Sequence, residues 1–239
     1  AFFSFFYPAS PAGHAFGVNL IPGGGGGEGS RGGGSMAMSM NAVFPKNVDI
    51  GGVPVYFLTR AVLDCTSHAE ALAVLRETRS AYGGSLNLGT APNGVINVEF
   101  GPSLMEASSP TALPGQVQST RPPAGGVGFH MNEYLHLKTV PFDKDPSSEH
   151  RLKAATGIAA AHPVVATMPA SFLRVLGDVS DVDYPLWRNT SGLDDSSTAA
   201  TVLFEFQAER GDVQSSVSMT VYERGNPLAA ETVRRRFVF

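Results

Sequence analysis

Residues 36–44 carry the pattern that most constrains how this chain can fold. Met36, Met38 and Met40 alternate with small residues, which is the period of a strand with one face on an apolar core. This pattern predicts a strand over residues 35–44. A sheet built on such a strand buries its apolar face against a second layer, so more than one layer is expected.

The remaining strands and helices follow from the same kind of pattern. Further strands are predicted at residues 2–7, 14–21, 86–88, 95–100, 200–206, 217–223 and 236–239, and helices at 53–63, 69–80, 147–161 and 168–176. Pro54 lies near the start of the first helix, Ser67 and Glu70 form a capping box, and Ser147 or Ser148 is the expected cap of the third helix. Short turns between strands favour hairpins. The order predicts one α+β domain over residues 1–239, an αββα sandwich of two antiparallel sheets flanked by helices.

Two long loops interrupt these elements. Residues 23–34 are almost all glycine, and residues 101–126 are rich in proline and serine and poor in large apolar side chains. The glycine-rich stretch lacks the lysine ending of a phosphate-binding loop and a defined GxGxxG spacing. It is interpreted as a lengthened hairpin loop, and the second stretch as a long irregular connection.

Composition excludes several classes of partner. The formal net charge is −4, which argues against nucleic acid and against anionic membranes, and no apolar run approaches the length of a spanning helix. Cys65 is the only cysteine, so neither an intrachain disulfide nor a cysteine-based metal cage is expected, and a cytoplasmic or organellar-matrix location is predicted. Because Ala1 opens directly into a predicted strand, the natural polypeptide is expected to begin upstream.

Residues 128–137, GFHMNEYLHL, place two histidines, an amide and a carboxylate in an apolar run. On one interpretation Asn132 ends a short strand and directs its amide N–H at an oxyanion, while His130 and Glu133 position a substrate or that amide. On the other, the segment is a strand whose polar residues satisfy backbone groups beside a loop. The spacing by itself leaves both open.

Other catalytic chemistries find little support in the sequence. Cys65 has only His68 near it, across a helix cap, and no GxSxG motif is present for a serine nucleophile. His130 with Glu133 or His136 has no recognised metal-binding spacing, so no metal site is predicted.

An ordered set of motifs resembles the C45 peptidase family, which groups acyl-coenzyme A:6-aminopenicillanic acid acyltransferases with carcinine and β-alanyl-dopamine hydrolases. The motifs are Tyr7-Pro8, AFGVN at 15–19, SMNAVFPK at 39–46, VPVYFLTRAVL at 53–63, SLNLG at 85–89, NVEFGP at 97–102 and HMNEYLHL at 130–137. The resemblance implies an N-terminal-nucleophile hydrolase matured by self-cleavage before a cysteine. It assigns the oxyanion amide to Asn132 and makes Asn41 and Arg60 weaker site candidates. Capping the sheet or pairing with Glu99 is the structural alternative for those two.

The family's nucleophilic cysteine and the Asn-x-Asp stretch after it are expected upstream of Phe2, so this chain alone is expected to be inactive. The predicted function is amide cleavage of a small N-acyl amine, such as a β-alanyl conjugate, without a cofactor. The upstream segment of its own precursor is the expected partner. Thr198 stands where some acyltransferases carry arginine, which favours hydrolysis. Acyl-coenzyme A-dependent acyl transfer and a non-catalytic binding module are the alternatives.

Overall fold

The computed structural model describes residues 2–4, 11–19, 35–91, 93–103, 116–123, 125–164, 168–190, 192–207, 216–223 and 225–239. One sheet comprises β1 (Phe2–Ser4), β2 (Phe16–Asn19), β3 (Met36–Ala42), β4 (Gly84–Thr90), β5 (Gly94–Phe100) and β6 (Val117–Thr120), paired antiparallel in chain order. A second antiparallel sheet comprises β7 (Ala200–Gln207), β8 (Ser216–Glu223) and β9 (Val233–Val238). The helices are α1 (Val55–Leu63), α2 (His68–Glu77), α3 (Pro146–Ala161) and α4 (Pro169–Leu176).

The alternation in β3 separates the two faces of the six-stranded sheet. Met36 and Met38 are buried in the main core, where they pack with α1 and α2 side chains such as Leu58. Ala37 points the other way and joins a cluster that includes Val217 of the second sheet. The two antiparallel sheets therefore lie face to face with helices against them, which confirms the predicted α+β sandwich.

The two sheets approach closely at Gly89. A Cβ atom at this position would lie 2.4 Å from the ring of Phe206, a separation that real atoms do not tolerate. The absence of a side chain on β4 therefore lets the β7 aromatic ring pack onto the sheet.

The second helical pair packs differently from the first. In α3 and α4, Ala155 and Val175 form a core with partly buried Phe129 and Met131. These helices therefore lie against the segment that the sequence analysis singled out. Among the described residues, no helix is both long and apolar enough to cross a membrane.

Three details of local structure differ from the predictions. The third helix is capped by Asp145, whose carboxylate accepts hydrogen bonds from the Ser147 and Ser148 amides, so neither serine is the cap. Ser67 caps α2 as predicted, but the Glu70 carboxylate accepts from Thr66, which makes only half of a capping box. Strand β6 lies within the predicted irregular loop and pairs with β5.

Some predictions fall on residues outside the described ranges. They include the glycine-rich loop, the Tyr7-Pro8 motif and residues 104–115 of the second long loop. The hairpin between the first two strands is confirmed where it is described, with Phe3 opposite Val18.

Candidate active site

Residues 128–137 form bends and turns, so the prediction of a strand here was wrong. The physical reason is Glu99, which is fully buried on β5. Its carboxylate accepts hydrogen bonds from the backbone amides of Leu135, His136 and Leu137 at 2.6, 2.8 and 2.6 Å. Three consecutive amides that converge on one carboxylate require a curved backbone, and this curvature is incompatible with strand pairing.

His130 completes the shell around Glu99. Its Nε2 lies 2.8 Å from Glu99 Oε1, and its Nδ1 lies 2.7 Å from the carbonyl oxygen of Met131. Both ring nitrogens thus face oxygen atoms, and these two contacts fix the orientation of the ring. Burial by itself raises the pKa of Glu99, but the hydrogen bonds from His130 and the three amides outweigh it and hold that pKa at about 2.

Tyr134 anchors the centre of the segment in a small core. Its ring is buried with Val43, Leu137 and Val140, and its hydroxyl donates to the carbonyl oxygen of Phe100 at 2.7 Å. The apolar residues of the motif and its buried charges therefore fix the same short segment against the end of the sheet. Most of the conspicuous polarity of residues 128–137 holds the segment in place.

Asn132 is the residue of this segment whose side chain reaches the C-terminal end of β3. Its Nδ2 donates to the carbonyl oxygen of Ala42 at 2.9 Å, and its Oδ1 accepts from Arg151 at 3.0 Å. Its backbone amide donates to Ser148 Oγ at 3.1 Å. A primary amide carries two N–H donors, and within the described residues the second one has no protein acceptor. The arrangement leaves one oriented N–H donor that a ligand could accept.

Arg151 lies behind Asn132 and is 7% exposed. Its guanidinium donates to Ser147 Oγ and Ser148 Oγ at 3.0 and 3.1 Å, in addition to Asn132. Burial is the main cause that lowers the pKa of Arg151 to about 10, and nearby Arg188 lowers it further, whereas Asp145 raises it. The group therefore remains protonated at neutral pH.

The remaining predicted site residues fall in different places. Glu133 accepts a hydrogen bond from the Asp145 amide at 2.7 Å and so positions the start of α3. Asn41 is on the inner face of the sheet, where it accepts weakly from Asn87 at 3.5 Å, and it directly precedes Ala42.

Arg60 pairs with Asp64 at 2.7 Å on the helix layer against the other face. The interpretation that paired it with Glu99 was wrong, because Glu99 binds His130.

Two cavities border the segment. One of about 190 Å³ lies over the inner sheet face and is lined by Asn87, Asn97, Phe129, His130 and His136, among others. Another of about 500 Å³ is lined by Asn132, Asp145, Tyr184, Arg188 and Asp194, among others. His130 and Asn132 therefore line different cavities although they are two residues apart. A ligand group within hydrogen-bond reach of the Asn132 side chain would lie in the larger one.

An amide ladder forms the floor of the smaller cavity. Ser39, Asn87 and Asn97 share one cross-strand row of β3, β4 and β5. Asn97 Nδ2 donates to Asn87 Oδ1 at 3.1 Å, and Asn87 Nδ2 donates to Ser39 Oγ at 3.2 Å. Asn97 Oδ1 is buried in this row without a hydrogen-bond partner among the described residues.

Cys65 has a structural role. The thiol is buried between α1 and α2 and points to the carbonyl oxygen of Ala61 at 3.6 Å. Burial is the main cause that raises its pKa to about 11, with help from Glu70 and Asp64. A thiol with so little thiolate at neutral pH is a poor nucleophile.

The sequence analysis missed Arg151 and Asp145 altogether. Both lie on or next to a helix and carry ordinary charged side chains, which most often face solvent. The one available signal was Arg151 on the same helical face as Ser147 and Ser148, at spacings of four and three residues. Glu99 was named only as an alternative partner for Asn41 and Arg60, and the partners it has lie more than 30 residues away in sequence.

Comparison with known protein families assigns the chain. Residues 1–216 match the family described as acyl-coenzyme A:6-aminopenicillanic acid acyl-transferase. The chain belongs to this family. Membership confirms the resemblance to the C45 group and supports acyl-transfer or amide-bond chemistry in general. No individually curated protein matches the chain.

Proposed function

We propose that the protein is an amidohydrolase that cleaves the amide bond of a small N-acyl amine, such as a β-alanyl conjugate. The observation that carries the proposal is Asn132, whose amide is oriented by two hydrogen bonds and keeps one N–H for a developing negative charge. Membership in an acyl-transfer family supports it. The proposed nucleophile is an N-terminal cysteine, supplied by a segment upstream of Ala1.

In the proposed reaction, the cysteine thiol gives its proton to its own α-amine, and the sulfur attacks the substrate carbonyl. The carbonyl π electrons move to oxygen, which accepts the hydrogen bond from Asn132 Nδ2. Collapse of this intermediate breaks the C–N bond and releases the amine, which takes up the proton. Water then hydrolyses the thioester to the carboxylic acid and the free thiol. An acyl pocket and an amine pocket are both needed, and the two cavities beside residues 128–137 supply room for them.

The experiment starts from the complete natural protein in its mature form, with a panel of N-acyl amines that includes β-alanyl conjugates. We expect Asn132→Ala to lower kcat about 10²–10³-fold, the usual loss for one oxyanion donor. Asn226→Ala is the matched control, because Asn226 Nδ2 also donates to a backbone carbonyl, that of Gly177 at 2.7 Å, but outside the site. Full activity of Asn132→Ala contradicts the assignment.

The family's own description favours a second candidate, acyl transfer from acyl-coenzyme A to an amine. Both reactions share the acyl-enzyme and differ in whether water or an amine accepts the acyl group. Product analysis with acyl-coenzyme A, in the presence and absence of an added amine, separates them. If the mature protein neither forms an acyl-enzyme nor turns over any compound of the panel, a non-catalytic binding module replaces both.

A further inference from the structure

Asn132 has two orientations that differ only by exchange of its oxygen and nitrogen. The observed one places Oδ1 against Arg151 and Nδ2 against the carbonyl oxygen of Ala42. A guanidinium has donors only, and a carbonyl has acceptors only. The exchanged orientation would set N–H against N–H and oxygen against oxygen, so the two partners together permit one orientation.

Arg151 is itself fixed in place. Its Nε donates to the Ser147 carbonyl oxygen at 3.1 Å and to Ser147 Oγ at 3.0 Å, and its second terminal nitrogen reaches Ser148 Oγ at 3.1 Å. These partners belong to the first turn of its own helix α3. A planar guanidinium with several donors so engaged loses little further entropy when it binds one more acceptor.

The same helical turn also holds the backbone of Asn132. Ser148 Oγ accepts from the Asn132 amide at 3.1 Å and donates to Asp145 Oδ2 at 2.6 Å. The start of α3 therefore binds Asn132 through both its main chain and its side chain. Glu99 fixes the following residues of the segment from the other side.

We infer that Arg151 is a positioning residue, which selects the orientation of the Asn132 amide that donates to the oxyanion. This inference rests on the proposed function for its catalytic part, whereas the orientation itself is independent of any substrate. The Ser147 and Ser148 side chains hold the Arg151 guanidinium within hydrogen-bond distance of Asn132 Oδ1. No contact of Arg151 with substrate is needed for this role.

The test compares Arg151→Met, Arg151→Lys and Ile158→Ala with the wild-type mature protein. Methionine retains the length but cannot donate, and lysine retains the charge and a donor. Ile158→Ala is the control for stability, because Ile158 packs in the α3–α4 core and belongs to none of the polar contacts of Asn132. The first readout is hydrogen exchange of the Asn132 side-chain amide by NMR, its signal identified through its loss in Asn132→Ala.

We expect this exchange to accelerate about 10–100-fold in Arg151→Met, which corresponds to the loss of one hydrogen bond to a charged group. With a substrate, kcat of Arg151→Met is expected to fall about 10–100-fold while KM changes little, since the interaction acts in the transition state. Arg151→Lys recovers part of the slow exchange and part of kcat. Ile158→Ala lowers the melting temperature and changes neither the exchange rate nor kcat.

Unchanged exchange in Arg151→Met overturns the inference, as does an equal effect in Ile158→Ala. Faster exchange without loss of kcat overturns the catalytic part. If the wild-type protein cleaves no compound of the panel, the proposed function fails on its own account. In that case the exchange measurement still decides whether Arg151 orients Asn132.

Discussion

Glu99 and Arg151 are both buried charged side chains that hold the segment around Asn132, but their partners differ. Glu99 is hydrogen-bonded by three backbone amides and by the His130 ring, all from residues 130–137. Arg151 donates mainly to neutral oxygens, two of them serine hydroxyls in its own helix. The three amides converge on the Glu99 carboxylate alone, whereas each serine hydroxyl also donates to a carboxylate of its own, Ser147 Oγ to Asp194 and Ser148 Oγ to Asp145.

This difference implies that the two clusters have different roles. The Glu99 cluster determines whether residues 130–137 adopt their path at all, so its loss is expected to affect folding. The Arg151 cluster determines how one side chain points, so its loss is expected to affect chemistry more than stability. Predictions about the two regions follow from this distinction.

The largest expected effect comes from Glu99→Ala. Removal of the carboxylate leaves the buried His130 ring and three backbone amides without their shared acceptor, so the free energy of unfolding is expected to fall by about 3–5 kcal/mol. Urea denaturation at neutral pH measures it. Arg151→Met is expected to lose only about 2 kcal/mol under the same conditions. Equal losses would refute the distinction between the two clusters.

A pH series on Glu99→Gln sharpens the same comparison. The pKa of Glu99 is lowered from 4.5 to about 2 in the folded protein, so its stabilisation is complete above about pH 4.5 and disappears as the pH falls toward 2. The difference corresponds to roughly 3 kcal/mol. The stability gap between wild type and Glu99→Gln is therefore expected to narrow across this window. A gap that stays constant down to pH 2 would show that the carboxylate charge contributes nothing.

The smallest effect is expected from Tyr134→Phe, which removes one neutral hydrogen bond, that to the Phe100 carbonyl oxygen. A loss of about 1 kcal/mol is expected. Thermal unfolding followed by circular dichroism checks it. A loss as large as that of Glu99→Ala would mean that the aromatic core, and not the buried carboxylate, fixes the segment.

Most helices and strands could be predicted from the sequence because residue alternation and helix caps act over a few neighbouring residues. Alternation in β3 predicted which residues face an apolar core, and Ser67 predicted the start of α2. Residues 128–137 were misinterpreted as a strand because the cause of their curvature, Glu99, lies on another strand. A hydrogen bond across more than 30 residues leaves no trace in a local pattern.

The candidate site shows the same limit. Asn132 was found through an ordered set of motifs, whereas Arg151, which contacts it, belongs to none of them. Arg60 does belong to one, yet it pairs with Asp64 one helical turn away. A charged residue on a helix reveals its partner only when the packing of that helix is known.

The chain order of the six-stranded sheet has a consequence for how the protein folds. Each strand pairs with its immediate predecessor, although α1 and α2 lie between β3 and β4. Residues 130–137, which cover Glu99, follow β5 in the sequence, so synthesis adds them after the strand that carries the carboxylate. The sheet up to β5 therefore cannot bury this charge with residues 130–137 until the chain has been made beyond them.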